Sequence, residues 1–238
     1  MVKTLQDPAL QAELAAVYRL YAALASTFNP DTGLGGKLLY AGELHPEGFR
    51  LVRAANIAGA ASLSATEDPD RQTRAIREGI VDFLVTSLDE ALRILKNEIR
   101  RSRGVAVGVT LQPKVIEEEM LERGVLPDLL FPDARFEEWT SLGAKAVGTD
   151  GFPSKKTLLT IALPSGMVRR TAEFESLLLD SLVEDNFASR QWLKTSPRYL
   201  DPRVRQYRSL PCDADAASTL LVRLSEKIEG WAGASEKS

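Results

Sequence analysis

From Lys37 to Phe131 the chain keeps one rhythm, a short apolar run followed by an amphipathic stretch, with successive runs about two dozen residues apart. The runs are Lys37–Ala41, Ala61–Ala65, Val81–Val85, Val105–Thr110 and Asp128–Phe131. A parallel strand pair cannot be joined by a tight turn, and this spacing is what a strand, a crossover helix and a return require. The pattern therefore predicts an α/β fold: a doubly wound, parallel, five-stranded sheet with helices on both faces.

The stretches between the runs carry helix punctuation. Pro46 opens a helix that Gly59 stops, and Asp68-Pro69 pairs an N-cap with a first-turn proline before a helix closed by Gly79. Ser87 and Glu90 form a capping-box pattern ahead of the stripe Leu88, Ala91, Leu92, Leu95 and Ile99. Pro113 begins a fourth helix, with Gly124 as its stop.

Outside this core the reading is a helix over Pro8–Ser26 and then, after Pro132, a long loop over Arg135–Ser154. Further on come a buried strand over Thr157–Leu163, a helix over Met167–Glu184, an irregular arginine-rich stretch over Thr195–Cys212, and a last helix over Asp213–Gly230 with a disordered tail at Ala232–Ser238. The chain divides accordingly into 1–35 (helix and linker), 36–133 (sheet domain) and 134–238 (C-terminal extension). The terminal helices carry wide apolar stripes, which points to a homodimer. Trp139, Trp192 and Trp231 lie outside the sheet region and suit packing of the appendages or a subunit interface.

The residues of the sheet region resemble a known family. Gly36-Lys-Leu-Leu-Tyr-Ala-Gly42, Ala55-Asn-Ile-Ala-Gly-Ala60, the segment Asp82–Asn97 with Leu88-Asp-Glu-Ala-Leu92, Val105-Ala-Val-Gly108 and Glu122-Arg-Gly-Val-Leu-Pro-Asp128 are similar, in order and spacing, to the central Rossmann-like domain of urocanase. The resemblance implies a Rossmann-like fold and a relative of a hydratase (a lyase) that uses tightly bound NAD as an electrophile. Urocanases are over twice this length, and their reactive-centre segments have no counterpart in 1–29 or 152–238, so none of their catalytic residues is carried over.

The segments that hold the cofactor in that family are altered here. Its glycine-rich phosphate loop is replaced by Gly42-Glu-Leu-His-Pro-Glu-Gly48, in which Glu43 and Glu47 bring negative charge to the phosphate position and Pro46 removes an N–H donor. The acidic residue that would hold the adenosine ribose falls on Thr66, with Glu67 and Asp68 just beyond. Leu111-Gln112 stands for a Gly-Asn pair, and Phe131-Pro-Asp-Ala134 for a Thr-Asp-Gln-Thr run. All of these positions lie on the carboxyl edge of the sheet, where such folds bind ligands. The candidate binding residues are thus Gly42, Glu43, His45, Gly48, Glu67, Asp68, Thr86 and Ser87.

His45, the one histidine, is the candidate for proton transfer, and its alternative role is that of a capping neighbour before Pro46. No other catalytic residue is assigned. One histidine and one cysteine, Cys212, provide neither an internal disulfide nor a cysteine-based metal site, and the lone thiol favours a reducing compartment. A formal net charge of -3 gives no global attraction to nucleic acid, and the arginines at 198, 203, 205 and 208, interleaved with Tyr199 and Tyr207, are expected to pair within their own domain. With no basic-then-apolar leader in Met1–Leu10 and no long uncharged apolar run, a cytoplasmic protein without membrane spans is expected.

Three functions remain open. They are a scaffold that has lost hydratase chemistry and binds a small molecule or partner at the carboxyl edge, an NAD-dependent lyase with a rebuilt substrate site, and a structural or interaction protein.

Overall fold

The computed structural model describes residues 3–29, 32–131, 136–148, 157–162, 171–180 and 187–235. They fall into two compact units, one of Ala16–Phe152 and the other of Met1–Ala15 with Pro153–Ser238.

The unit Ala16–Phe152 is built on strands β1 (Leu38–Glu43), β2 (Ala61–Ala65), β3 (Phe83–Val85), β4 (Val105–Val109), β5 (Leu129–Leu130) and β6 (Lys145–Ala146). Their order is β3-β4-β2-β1-β5-β6, and every pairing is parallel. The part of helix α1 (Pro8–Ala25) from Ala16 onward, and helices α2 (Pro46–Ala58), α3 (Pro69–Arg77), α4 (Leu88–Arg100), α5 (Pro113–Glu122) and α6 (Glu137–Ser141), accompany it. The fold is Rossmann-like, as the sequence predicts, and the added helices are present.

Topology follows from the handedness of crossovers. The step from β1 to β2 and on to β3 moves one way along the sheet, so right-handed connections place α2 and α3 on one face; the return through α4 and α5 places those on the other. Between α4, α5 and the sheet lies a core of Leu63, Leu92, Leu95, Val107, Ile116 and Met120 among others. On the opposite face α2 is buried almost all round, and Arg53 reaches from it to Glu78 at 2.8 Å while Asn56 donates to the Ile80 carbonyl at 3.1 Å. Two carboxylates fix strand ends: Asp128 accepts from the Leu38 N–H at 2.8 Å and the Lys37 ammonium at 2.9 Å, and Asp82 accepts from the Ala106 N–H at 2.8 Å.

The sixth strand corrects the expected five, and with α6 it replaces the loop expected over Arg135–Ser154. Both side chains of β6 are exposed and only its backbone is engaged, through Lys145 N–H to Asp128 O at 2.9 Å and Val147 N–H to Leu130 O at 2.8 Å, so no apolar alternation marks it. Trp139 is not an appendage residue either. It is 1% exposed, its ring centroid lies 5.0 Å from that of Tyr40 and 5.2 Å from that of Phe136, and it belongs to the sheet's own core.

The second unit contains the antiparallel pair β7 (Thr157–Ala162) and β8 (Tyr207–Cys212), with α7 (Thr171–Asp180), α8 (Phe187–Tyr199) and α9 (Ala214–Ser235). Its core gathers Ile161, Phe174, Leu178, Leu193, Leu210 and Leu224. The stretch Thr195–Cys212, expected to be irregular, instead completes α8 and forms β8. Its arginines are anchored locally, Arg208 on Glu175 at 2.7 Å and Arg203 on Asp201 at 2.9 Å, and Trp192 donates from Nε1 to the Ser209 carbonyl at 3.1 Å. Helix α9 runs on to Ser235, through part of the expected tail. The ends of the Met167–Glu184 helix, Leu182, and the Trp231 side chain lie outside the described residues. Of the stripes of the terminal helices, Leu14, Val17, Tyr21 and Leu24 and then Leu220, Leu224 and Ile228 are buried. Among the described residues no helix is long and apolar enough to cross a membrane.

Helix α4 offers a test of its cap. The Ser87 side chain accepts from the Glu90 N–H, and the Glu90 carboxylate accepts from Thr86 N–H at 3.0 Å and from Thr86 Oγ1 at 3.1 Å. The Thr86 backbone bond, then its hydroxyl, holds Glu90 below the usual glutamate range. A carboxyl lowered on folding stabilises above its unfolded pKa, and that contribution is lost as pH falls through the folded value. The difference in melting temperature between wild type and Glu90→Gln is therefore expected to shrink between neutral and acidic pH. A difference independent of pH would contradict the capping box.

Candidate functional site

Strand β1 ends at a point where the sheet's connections diverge, since its onward crossover leads to β2 on one side and β5 arrives on the other. Open α/β sheets bind ligands in the crevice at such a switch point. There the chain forms a cavity of about 590 Å³, within the range of small-molecule sites. Helix α1 contributes Ala16, Arg19, Leu20 and Ala23; β1 contributes Tyr40 to Glu43; His45 and the start of α2, with Glu47, Gly48, Arg50 and Leu51, close a second side, and Phe131 and Phe136 a third. All of these residues belong to the unit Ala16–Phe152.

The two glycines of the altered loop have separate structural reasons. Gly42 sits at φ +68°, where the β1–β2 register slips between Tyr40 and Glu43, so it accommodates a bulge that a side chain would strain. At Gly48 a Cβ would run into the Glu43 carbonyl oxygen, with the carbonyl carbon at 3.0 Å. The first turn of α2 thus packs directly on the backbone at the end of β1.

Polar groups of the loop are also engaged. His45 is the N-cap of α2 and accepts the Gly48 N–H on Nδ1 at 3.0 Å, which leaves Nε2 to carry the proton of a neutral ring. Glu43 is paired with Arg71 of α3, and the same guanidinium reaches Asp68 at 3.1 Å. Asp68 caps α3, accepting from the N–H groups of Asp70 at 2.9 Å and Arg71 at 3.3 Å. Glu67 takes the Gln112 amide on both oxygens, at 3.0 and 2.9 Å.

Of the eight positions singled out in the sequence, Gly42, Glu43, His45 and Gly48 therefore meet at the cavity. Glu67, Asp68, Thr86 and Ser87 do not line it and are engaged in caps and side-chain bonds. Sequence reasoning missed Arg19, Leu20 and Ala23, which are far from the loop along the chain, and also Arg50 and Tyr40. The i, i+1, i+4 spacing of the α1 residues was the available signal, but it reads equally as part of a core stripe.

Other candidates are quieter. Cys212 is half-buried in the other unit, and burial, followed by the neighbouring Asp213 charge, pushes its thiol up, against a backbone hydrogen bond from Leu159. This is the opposite of what a nucleophilic thiolate needs. Among the described residues no group of three or more His, Cys, Asp or Glu side chains is placed to hold a metal ion.

The family model of the urocanase Rossmann-like domain matches residues 18–135, just under half of the chain and nearly the whole of the unit that holds the cavity. Over these residues the chain is similar to the Rossmann-like domain of urocanase.

Proposed function

We propose that the protein is a urocanase-related small-molecule-binding protein, without urocanate hydratase activity, whose ligand occupies the switch-point cavity. The observation that carries this reading is the cavity itself, which joins an aromatic and aliphatic lining to a few charged groups at the place where this fold class binds ligands.

A dinucleotide seated in the usual way fits these residues poorly. Its pyrophosphate would need free N–H groups at the α2 N-terminus, yet Gly48 N–H is given to His45, Pro46 has none, and the Glu47 carboxylate stands beside them. The acidic groups after β2 that would take the ribose hydroxyls are held by Gln112 and by the α3 cap. The reading accordingly assigns the site to a ligand smaller than NAD.

Small molecules released by denaturing the purified protein and identified by mass spectrometry test the reading. Wild type is expected to release a stoichiometric compound that the cavity-filling variant Leu20→Trp lacks. Equal release from both, or a compound bound by neither even after incubation with a metabolite extract, would contradict it.

A further inference from the structure

Resting on that reading, we infer that the ligand is an uncharged, largely apolar molecule with a carbonyl-type acceptor, which takes its hydrogen bond from Nε2 of His45.

Charge does not select the ligand, because the lining holds two groups of each sign. Arg19 and Arg50 stand against Glu43 and Glu47. Glu43 is paired with Arg71, Arg50 already has a partner within the protein, and Arg19 and Glu47 are both exposed. An ion entering the cavity would give up its water without a surplus of opposite charge to receive it. A neutral molecule carries no such cost.

His45 gives the site its direction. It is half-buried, lines the cavity and accepts the Gly48 N–H on Nδ1 at 3.0 Å, so the hydrogen of the neutral ring sits on Nε2. Among the described residues nothing accepts that hydrogen. Gly48 is held against the end of β1, and the ring cannot exchange its two nitrogens without uncapping α2. In the capped helix Nε2 is therefore a donor and not an acceptor, which favours a ketone, ester or amide oxygen over an amine. The rest of the ligand meets apolar surface. Leu20, Ala23, Leu51, Phe131 and Phe136 offer no side-chain hydrogen bond, and the Tyr40 hydroxyl donates to Glu117 at 3.0 Å. A polyol would lose hydrogen bonds against these walls.

Calorimetric titration with 2-acetylnaphthalene and 2-isopropenylnaphthalene tests this, because the pair keeps one shape and exchanges the carbonyl oxygen for a methylene. Wild type is expected to bind the ketone about three- to tenfold more tightly, the net worth of one neutral hydrogen bond. His45→Ser keeps a good helix cap but removes the ring, and is expected to erase the preference. The ratio of the two affinities within one variant cancels any loss of folded protein. Leu20→Trp is expected to weaken both compounds. Equal affinities in wild type, with Leu20→Trp weakening both, would overturn the donor assignment and leave the cavity as a binding site. A ketone preference that survives His45→Ser would overturn it too, as would naphthalene-2-carboxylate binding tenfold or more tightly than the ketone. Binding of neither probe would also overturn it. Affinities untouched by Leu20→Trp, or binding of neither probe together with no released compound, would sink the cavity reading as well.

Discussion

Replacing Gly48 with alanine is expected to cost about 3 kcal/mol, the upper end of the range for overpacking, because the added methyl meets main chain and not a movable side chain. The atom in the way is the Glu43 carbonyl oxygen at the end of β1, and α2 must back off from the sheet to admit the methyl. For a chain of this size that corresponds to a fall in melting temperature of roughly 6–12 °C. Gly42 provides the contrast. A Cβ there meets nothing within 4 Å, so the cost is conformational, about 1–2 kcal/mol for a left-handed alanine. Urea melts of the two variants, side by side, separate a glycine kept for close packing from one kept for a bulge. Equal destabilisation would contradict the separate reasons given for them.

Trp139→Ala is expected to cost at least as much, about 3–5 kcal/mol, as for other fully buried large aromatics. The indole is stacked on Phe136 and leans on Tyr40, and these two also line the cavity. The substitution should therefore loosen α6 and β6 first, and the cavity wall with them. Hydrogen exchange would register this as faster exchange at Val147 N–H, which closes the β5–β6 ladder. Unchanged exchange there, with global stability preserved, would mean that the aromatic trio does not hold this edge of the sheet.

What the sequence discloses and what it conceals divide along a physical line. Elements with their own caps are legible: α2 runs from Pro46 to Ala58 with Gly59 left-handed behind it, and α4 starts at Ser87 with the expected bond from Glu90. Strands of the sheet interior are legible too, since β2 and β4 are buried at every position and read as continuous apolar or small-residue runs. Elements fixed by a distant partner are not. Strand β6 has exposed side chains and exists only by pairing with β5, and β8, with Pro211 and its arginines, is recognisable only once β7 lies beside it.

The candidate site shows the same division. The loop from Gly42 to Gly48 could be found by its place after β1, and it does line the cavity. The second group, Glu67, Asp68, Thr86 and Ser87, sits on the same carboxyl edge, but its polar atoms serve the caps of α3 and α4 and a bond to Gln112. Chain position says where an edge lies, and only the packing of α1 against that edge says which part of it becomes a cavity.

Native mass spectrometry of the intact protein, with and without added NAD, tests the central claim most directly and also counts subunits. The account predicts that NAD leaves the mass unchanged, because at the α2 N-terminus the Gly48 N–H is already given to His45 and Pro46 has none to offer. A stoichiometric NAD adduct, present on purification or formed on addition, would contradict it and return the site to dinucleotide chemistry.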